Sequence, residues 1–332
     1  MGDDVPQLRV HFTDRDIART RLKLEPDLMW EIVSSAQILQ HRDGDLSFGP
    51  WRRHVRELAA RDPDLRTALH TLVTVAPHAT YFPDLLTPSA DLSGIDECAD
   101  AVLSTPPRRL REEIGRIRPA AGAEACWLDE LARGGPTALL QLRHALRVYF
   151  RSVIEPHLPV IEEGRCTDVA AGVQQYLHRG PEGLLGALGP ATRWDPPVLS
   201  VRYPHDRDLY LRGRGLVLIP CYFAVHHPVA LADPELPPVL AFPIRTGSRL
   251  LAGGRVGGSL TALLGTTRAA ILRLVIAGST TTALAKMVGV APATVSHHTG
   301  VLREAGLIAT EREENYARHL ITPLGLRVLS GT

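Results

Sequence analysis

Lysine is almost missing from this chain. Of its 37 basic residues only Lys23 and Lys286 are lysine, so nearly every positive charge is a guanidinium. Aromatic residues make up 5% of the 332 positions, and the four cysteines, Cys98, Cys126, Cys166 and Cys221, stand 28 or more residues apart. That spacing has neither the CxxC pairs of a zinc site nor the density of a disulfide scaffold, so buried free thiols are expected. No run of 18 apolar residues occurs, which excludes a membrane-spanning helix. The opening MGDDVPQLRVHF is acidic where a signal peptide is basic and then apolar, and the expected location is the cytoplasm. Internal repeats and low-complexity tracts are also absent.

Catalytic signatures are equally thin. There is no GxSxG and no HExxH. HRDGDLSFG, at 41 to 49, imitates a kinase catalytic loop, but no asparagine follows at the required spacing and no glycine-rich loop or lysine strand precedes it. The glycines of AGGRVGGS, at 252 to 259, suit an anion at a helix start, yet the lysine of a phosphate-binding loop is missing and GxGxxG is not matched. His226 and His227 lie beside Pro228 with no carboxylate pair nearby. No catalytic residue, metal site or cofactor is therefore expected.

What the chain does contain is the composition of a soluble globular protein with two or three domains, 45% hydrophobic and 22% charged. RTGSRLLAGGRVGGS, at 245 to 259, holds five glycines and little apolar periodicity, and reads as a linker. Charge divides nearby: residues 260 to 332 carry +3 and the remainder −2. Upstream, apolar residues recur at three and four in DLMWEIVSSAQILQ (27 to 40), PWRRHVRELAARD (50 to 62), AEACWLDELAR (123 to 133) and TALLQLRHALRVYFRSVIEPHL (137 to 158), with another helix from 160 to 178. After Trp194 the pattern changes to short branched runs, VLSVRY, DLYLR, GLVLIPCYF and PVLAFPI, which predict strands. The aromatics here (Trp194, Tyr203, Tyr210, Tyr222, Phe223 and Phe242) read either as a sheet core or as the wall of a ligand pocket. The expected fold is α+β. Residues 1–250 form an effector or dimerisation region, helical over 1–190 with a small antiparallel sheet over 194–244; the linker at 245–259 leads to a separate domain at 260–332.

That last domain has the strongest local grammar. TTRAAILRLVIAG (266 to 278) is a helix stopped by Gly278. Ser279 to Thr282 offer cap hydroxyls to a second helix, TALAKMVG, which breaks at Gly289. Pro292 fits the first turn of a third, running to about Ala305. Ala285, Gly289 and Val295 fall four and then six apart, the spacing of a helix-turn-helix: a small residue where helices cross, a positive-φ turn, an apolar anchor. Alternating runs Leu307 to Arg312 and Tyr316 to Thr322 then predict a β-hairpin wing.

TTALAKMVGVAPATVSHHTGVLREAGLIATEREENYARHLITPLG resembles the winged helix-turn-helix of ArsR-type bacterial transcription regulators, through ATVSHH, VLREAGLI and ITPLG. HFTDRDIARTRL (11 to 22), FGPWRRHV (48 to 55) and RWDPPVLSV (193 to 201) are more loosely similar to the long N-terminal region of a subgroup from high-GC Gram-positive bacteria. The resemblance implies a regulator, a repressor in the first instance, that binds double-stranded DNA as a homodimer on inverted repeats. Its third helix enters the major groove and offers early residues to base edges. Thr294, Ser296 and His297 are those residues here, with Lys286, Arg303, Arg312, Tyr316 and Arg318 as further DNA contacts. His298, matched to the family's S-x-H-L pattern, is the structural histidine. Neighbouring helical residues diverge by about 100°, so the pair does not make a metal site by itself. Thr299 and Gly300 depart from the family's apolar and basic pair, and Glu313 and Glu314 make the wing tip acidic. TALAKMVG lacks cysteine and PLGLRVLSGT lacks His and acid, against metal sensing of the family type.

For the first 250 residues two readings stand. One is a sensor for a small-molecule effector, walled by 123 to 190 and 194 to 244, with Arg202, Tyr203, Tyr210 and His226 as ligand-binding anchors. The other is a dimerisation module. Two further functions compete with a DNA-binding regulator: a winged helix used for protein contact, and the accessory domain of an enzyme.

Overall fold

The computed structural model describes residues 6–41, 45–78, 82–88, 92, 94–117, 122–225, 228–230, 237–244, 257–276, 278–313 and 316–330. In chain order these form β1 (Gln7–His11), α1 (Asp14–Arg19) and β2 (Arg21–Leu22). A helical stretch follows: α2 (Leu28–Ile38), α3 (Asp45–Arg61), α4 (Pro63–Val75), α5 (Ile95–Leu103), α6 (Pro107–Ile114), α7 (Ala123–Ala132), α8 (Pro136–Tyr149) and α9 (Leu158–Leu185). Strands come next: β3 (Thr192–Asp195), β4 (Val198–Arg202), β5 (Arg207–Tyr210), β6 (Val217–Cys221), β7 (Val229–Ala230) and β8 (Val239–Pro243). The C-terminal part holds α10 (Gly257–Leu264), α11 (Thr266–Leu274), β9 (Ser279–Thr280), α12 (Thr281–Val288), α13 (Pro292–Glu304), β10 (Ile308–Glu313), β11 (Tyr316–Ile321) and α14 (Pro323–Ser330). No helix among the described residues is long and apolar enough to cross a membrane.

The chain divides into two compact units, and the division is discontinuous. The first comprises residues 1–159 and 191–243, the second 160–190 and 244–332. The expected boundaries at 1–250 and 260–332 therefore need correction, because residues 160–190 join the C-terminal unit across more than 50 intervening positions. Of the expected linker, 245–256 lies outside the described residues and 257–259 open α10.

The first unit holds two four-stranded sheets where one small antiparallel sheet was expected, in the orders β3-β4-β1-β5 and β2-β6-β8-β7. Both are mixed: β1 runs parallel to β5, and β6 parallel to both β2 and β8. Two of these strands come from the first 22 residues, inside the span expected to be helical. QLRVH is a strand because Leu8 and Val10 alternate onto the buried face. Its partners lie about 190 residues downstream, beyond the reach of any local pattern. β6 is buried along its whole length, as befits a strand with parallel neighbours on both sides. Trp30, Ile219, Cys221, Val239 and Ala241 pack there. The buried Glu31 carboxylate accepts from the Tyr222 and Phe223 backbone N–H groups at 2.8 and 3.1 Å, pinning α2 to the end of β6. Helix starts follow the side-chain chemistry: Thr13 and Asp16 form a capping box on α1, while Asp27 and Asp62 cap α2 and α4. Cys98, Cys166 and Cys221 are buried free thiols, whereas Cys126 on α7 is exposed, against expectation.

In the second unit, Cys166, Ala170 and Val173 of α9 pack with Ile271 and Leu272 of α11, with Val275 just after it, and with Leu284, Val295, Leu302 and Leu329. Glu163 and Arg273 add an ion pair at 3.2 Å between α9 and α11. The helical path of α9 is broken at Gly180, where φ is 65°.

Candidate nucleic-acid interface

The second unit builds its candidate surface on α12 and α13. Ser279 Oγ donates to the Leu274 carbonyl at 3.0 Å just beyond α11, which therefore closes four residues before Gly278. Thr280 Oγ1 accepts from the Ala283 N–H at 3.3 Å and caps α12. Gly289 takes φ 73° and ψ 31°, the left-handed region that a Cβ disfavours. Its N–H and that of Val290 donate to the Ala285 carbonyl at 3.0 and 3.1 Å, turning the chain within one residue. Pro292 then begins α13. Ala285 and Val295 are both buried between the helices, so each of the three spaced positions does what its residue type predicts.

Burying Val295 and Leu302 leaves the other face of α13 in solvent. Ser296 and His297 are exposed and Thr294 is half-buried. Lys286 is exposed on α12, and Arg303 on the last turn of α13. Seven residues bring Arg303 back within about 20° of the Ser296 direction and about 10 Å further along the axis. Arg318 is exposed on β11, with its guanidinium over Gly278, where a Cβ would lie 2.8 Å from Arg318 Nε. Arg312 and Tyr316 stand in β10 and β11, paired with Ala317 and Glu313, but their side chains lie outside the described residues.

His298 turns inward. Its Nδ1 is sealed from solvent with no hydrogen-bond partner among the described residues, and burial first, then the charges of His297 and Arg268, hold its pKa below the usual histidine value. The His297 and His298 rings lie 5.4 Å apart with planes at 59°. Thr299 is buried and satisfies its own hydroxyl by donating to the Ser296 carbonyl at 3.1 Å.

One residue of this unit went unnoticed in the sequence. His319, on β11, is 3% exposed and hydrogen-bonds through Nε2 to Thr281 Oγ1 at 3.0 Å and through Nδ1 to Thr310 Oγ1 at 2.9 Å. It joins the hairpin to the first turn of α12. Burial, with Arg303 as a lesser cause, holds its pKa below the usual histidine value. The alternation of YARHLI was the available signal, since it places residues 317, 319 and 321 on one face.

Of the proposed ligand anchors of the first unit, Arg202 and Tyr210 stand apart. Arg202 sits on β4 opposite Gln7 and Tyr210 on β5 opposite His11, so β1 runs between them and they stand at its two ends, about 13 Å apart along the strand alone. Tyr210 is 54% exposed and stacks on the His11 ring at 4.3 Å. Tyr203 is half-buried beside His205, and His226 lies outside the described residues.

Residues 266–311 match a protein family described as a helix-turn-helix domain. The chain carries a helix-turn-helix domain. The match runs from the start of α11 into β10, the segment in which Ala285, Gly289 and Val295 set the helix crossing. No curated protein and no solved structure matches the chain.

Proposed function

We propose that the protein is a sequence-specific DNA-binding transcription regulator of the ArsR type, acting as a homodimeric repressor, with α13 as its recognition helix. One observation carries this reading: Ser296 and His297 are exposed early on α13, while Val295 and Leu302 lock the opposite face into the core. Side chains so placed can reach base edges once the helix lies in a major groove. The antiparallel pair β10 and β11 serves as a wing flanking the groove, with Arg318 directed at phosphate. The protein is a binder and not an enzyme, and its first unit provides dimer contacts. A sensing pocket built on Arg202, Tyr203 and Tyr210 finds no support in their separation.

The test begins by selecting duplexes that the purified protein retains. Ser296→Ala with His297→Ala should then weaken the selected site by about 1 to 3 kcal/mol for each base-edge hydrogen bond removed, with circular dichroism unchanged. Undiminished preference for that site over random duplex in a gel shift overturns the reading.

A further inference from the structure

We propose that His319 is a proton-operated positioning residue for DNA binding: its neutral imidazole holds the β10–β11 hairpin against the start of α12, and protonation releases the hairpin. The proposal rests on the DNA-binding reading. It starts from a short attachment. β11 pairs with β9 over two residues, Arg318 with Thr280 and His319 with Ser279, and beyond them the Ile321 N–H donates to the Val275 carbonyl at 3.3 Å. Thr280 caps α12 and Thr281 is its first residue. The His319 ring reaches that helix start through Thr281 Oγ1, and reaches β10 through Thr310 Oγ1, which belongs to its direct cross-strand partner. One imidazole thus ties together both strands of the hairpin and the first turn of α12.

The two threonine contacts suit a neutral ring. A neutral imidazole presents one donor and one acceptor, so one hydroxyl accepts from it while the other donates to it. A protonated ring presents two donors, and the donating hydroxyl has to turn its own proton away. The surroundings also oppose a positive charge. The ring is 3% exposed. It lies beside the N-terminus of α12, where backbone N–H groups favour anions and disfavour cations. Arg303, on the last turn of α13, is the charged neighbour that acts on it.

Among the described residues no carboxylate offsets these effects. Glu311 of β10 is exposed and pairs in register with Arg318, one position along the strand from His319 and so on the opposite face. Glu304 of α13 and Lys286 of α12 are exposed, and Arg273 of α11 is engaged by Glu163. His297 and His298 belong to the first half of α13. Burial first, then Arg303, place the His319 pKa below the usual histidine value. The contact therefore contributes fully above that usual value and is lost as pH falls through the lowered one. The same strand carries Arg318, directed at phosphate, so releasing β11 from the start of α12 weakens DNA binding on acidification.

The experiment measures the affinity of the full-length protein for its selected duplex by fluorescence anisotropy from about pH 8 to about pH 5, the range in which histidine titrates. Wild type is compared with His319→Gln, because glutamine can take up a threonine contact and stays uncharged throughout. His297 and His298 are present in both proteins and cancel in the comparison. On acidification the wild type should lose affinity by about fivefold or more beyond any loss in the variant. By linkage, the duplex should push the His319 pKa further down, read from the ring resonances by NMR with and without DNA. Parallel affinity profiles overturn the proposal. So does a His319 titration in the free wild-type protein that leaves the hydrogen-exchange protection of the paired β9 and β11 amides unchanged, a measurement that holds even where the glutamine variant fails to fold. Parallel profiles on a retained duplex sink this proposal alone, whereas a wild-type protein that retains no duplex at any pH sinks the DNA-binding reading with it.

Discussion

At the scale of single residues, the helix-turn-helix unit mixes positions that chemistry dictates with others it merely tolerates. Gly289 is dictated, because its φ of 73° turns the chain between α12 and α13. His319 is dictated in a different way: it is buried with both ring nitrogens bound to threonine hydroxyls, so loss of the imidazole takes a hydrogen-bond partner from both Thr281 and Thr310. Gly300 is only tolerated. It lies inside α13, and a Cβ built there meets nothing within 4 Å. Gly300→Ala therefore removes backbone entropy from the unfolded chain without a clash in the folded one. It should stabilise the protein by about 1 kcal/mol, read as a higher denaturant midpoint at unchanged m-value. A lower midpoint would mean that the space beside α13 is not open.

At the scale of elements, what could be read from the sequence and what could not separate by contact range. α12, its glycine turn and α13 were legible because cap, turn and anchor lie within 16 residues, from Thr280 to Val295, and each is decided by local chemistry. The hairpin was legible from its alternation. β1 and β2 were hidden by their distance from β4, β5 and β6, and the parallel pairings cannot be inferred from strand pattern alone. α9 was recognisable as a helix but not as part of the DNA-binding unit. Its small inward residues, Cys166, Ala170 and Val173, match the spacing of any buried helix, and the surface they cover begins about 100 positions later. That assignment has a sharp consequence. Ala170 is fully buried in the core shared with Ile271 and Leu272. Ala170→Asp places an unpaired charge there, which should cost several kcal/mol and abolish DNA retention although position 170 is far from α13 in sequence. Tyr176→Ala, on the same helix but 45% exposed, should leave retention intact. Undiminished retention in both variants would separate α9 from the reading unit.

At the scale of the whole molecule, the chain passes from one unit to the other three times, near 159, 190 and 243. A discontinuous unit of this kind cannot be cut out as a simple C-terminal fragment. Residues 257–332 contain every helix-turn-helix element but lack α9, so Ile271 and Leu272 lose the apolar cover that Cys166 and Ala170 provide. Stripping buried apolar surface from a domain this small takes away a large share of a marginal stability. The fragment should melt well below the second unit in the intact chain, with a broadened transition followed by circular dichroism. Because the missing piece is one helix, it can be returned in trans: a peptide spanning 160–190 should raise the fragment's stability with concentration, by about 2.7 kcal/mol at a hundredfold excess over its dissociation constant. The break at Gly180 makes a shorter peptide, 160–179, sufficient if Cys166, Ala170 and Val173 carry the packing. A fragment that melts cooperatively at the temperature of the intact unit, indifferent to either peptide, would show that the helix-turn-helix domain stands without α9.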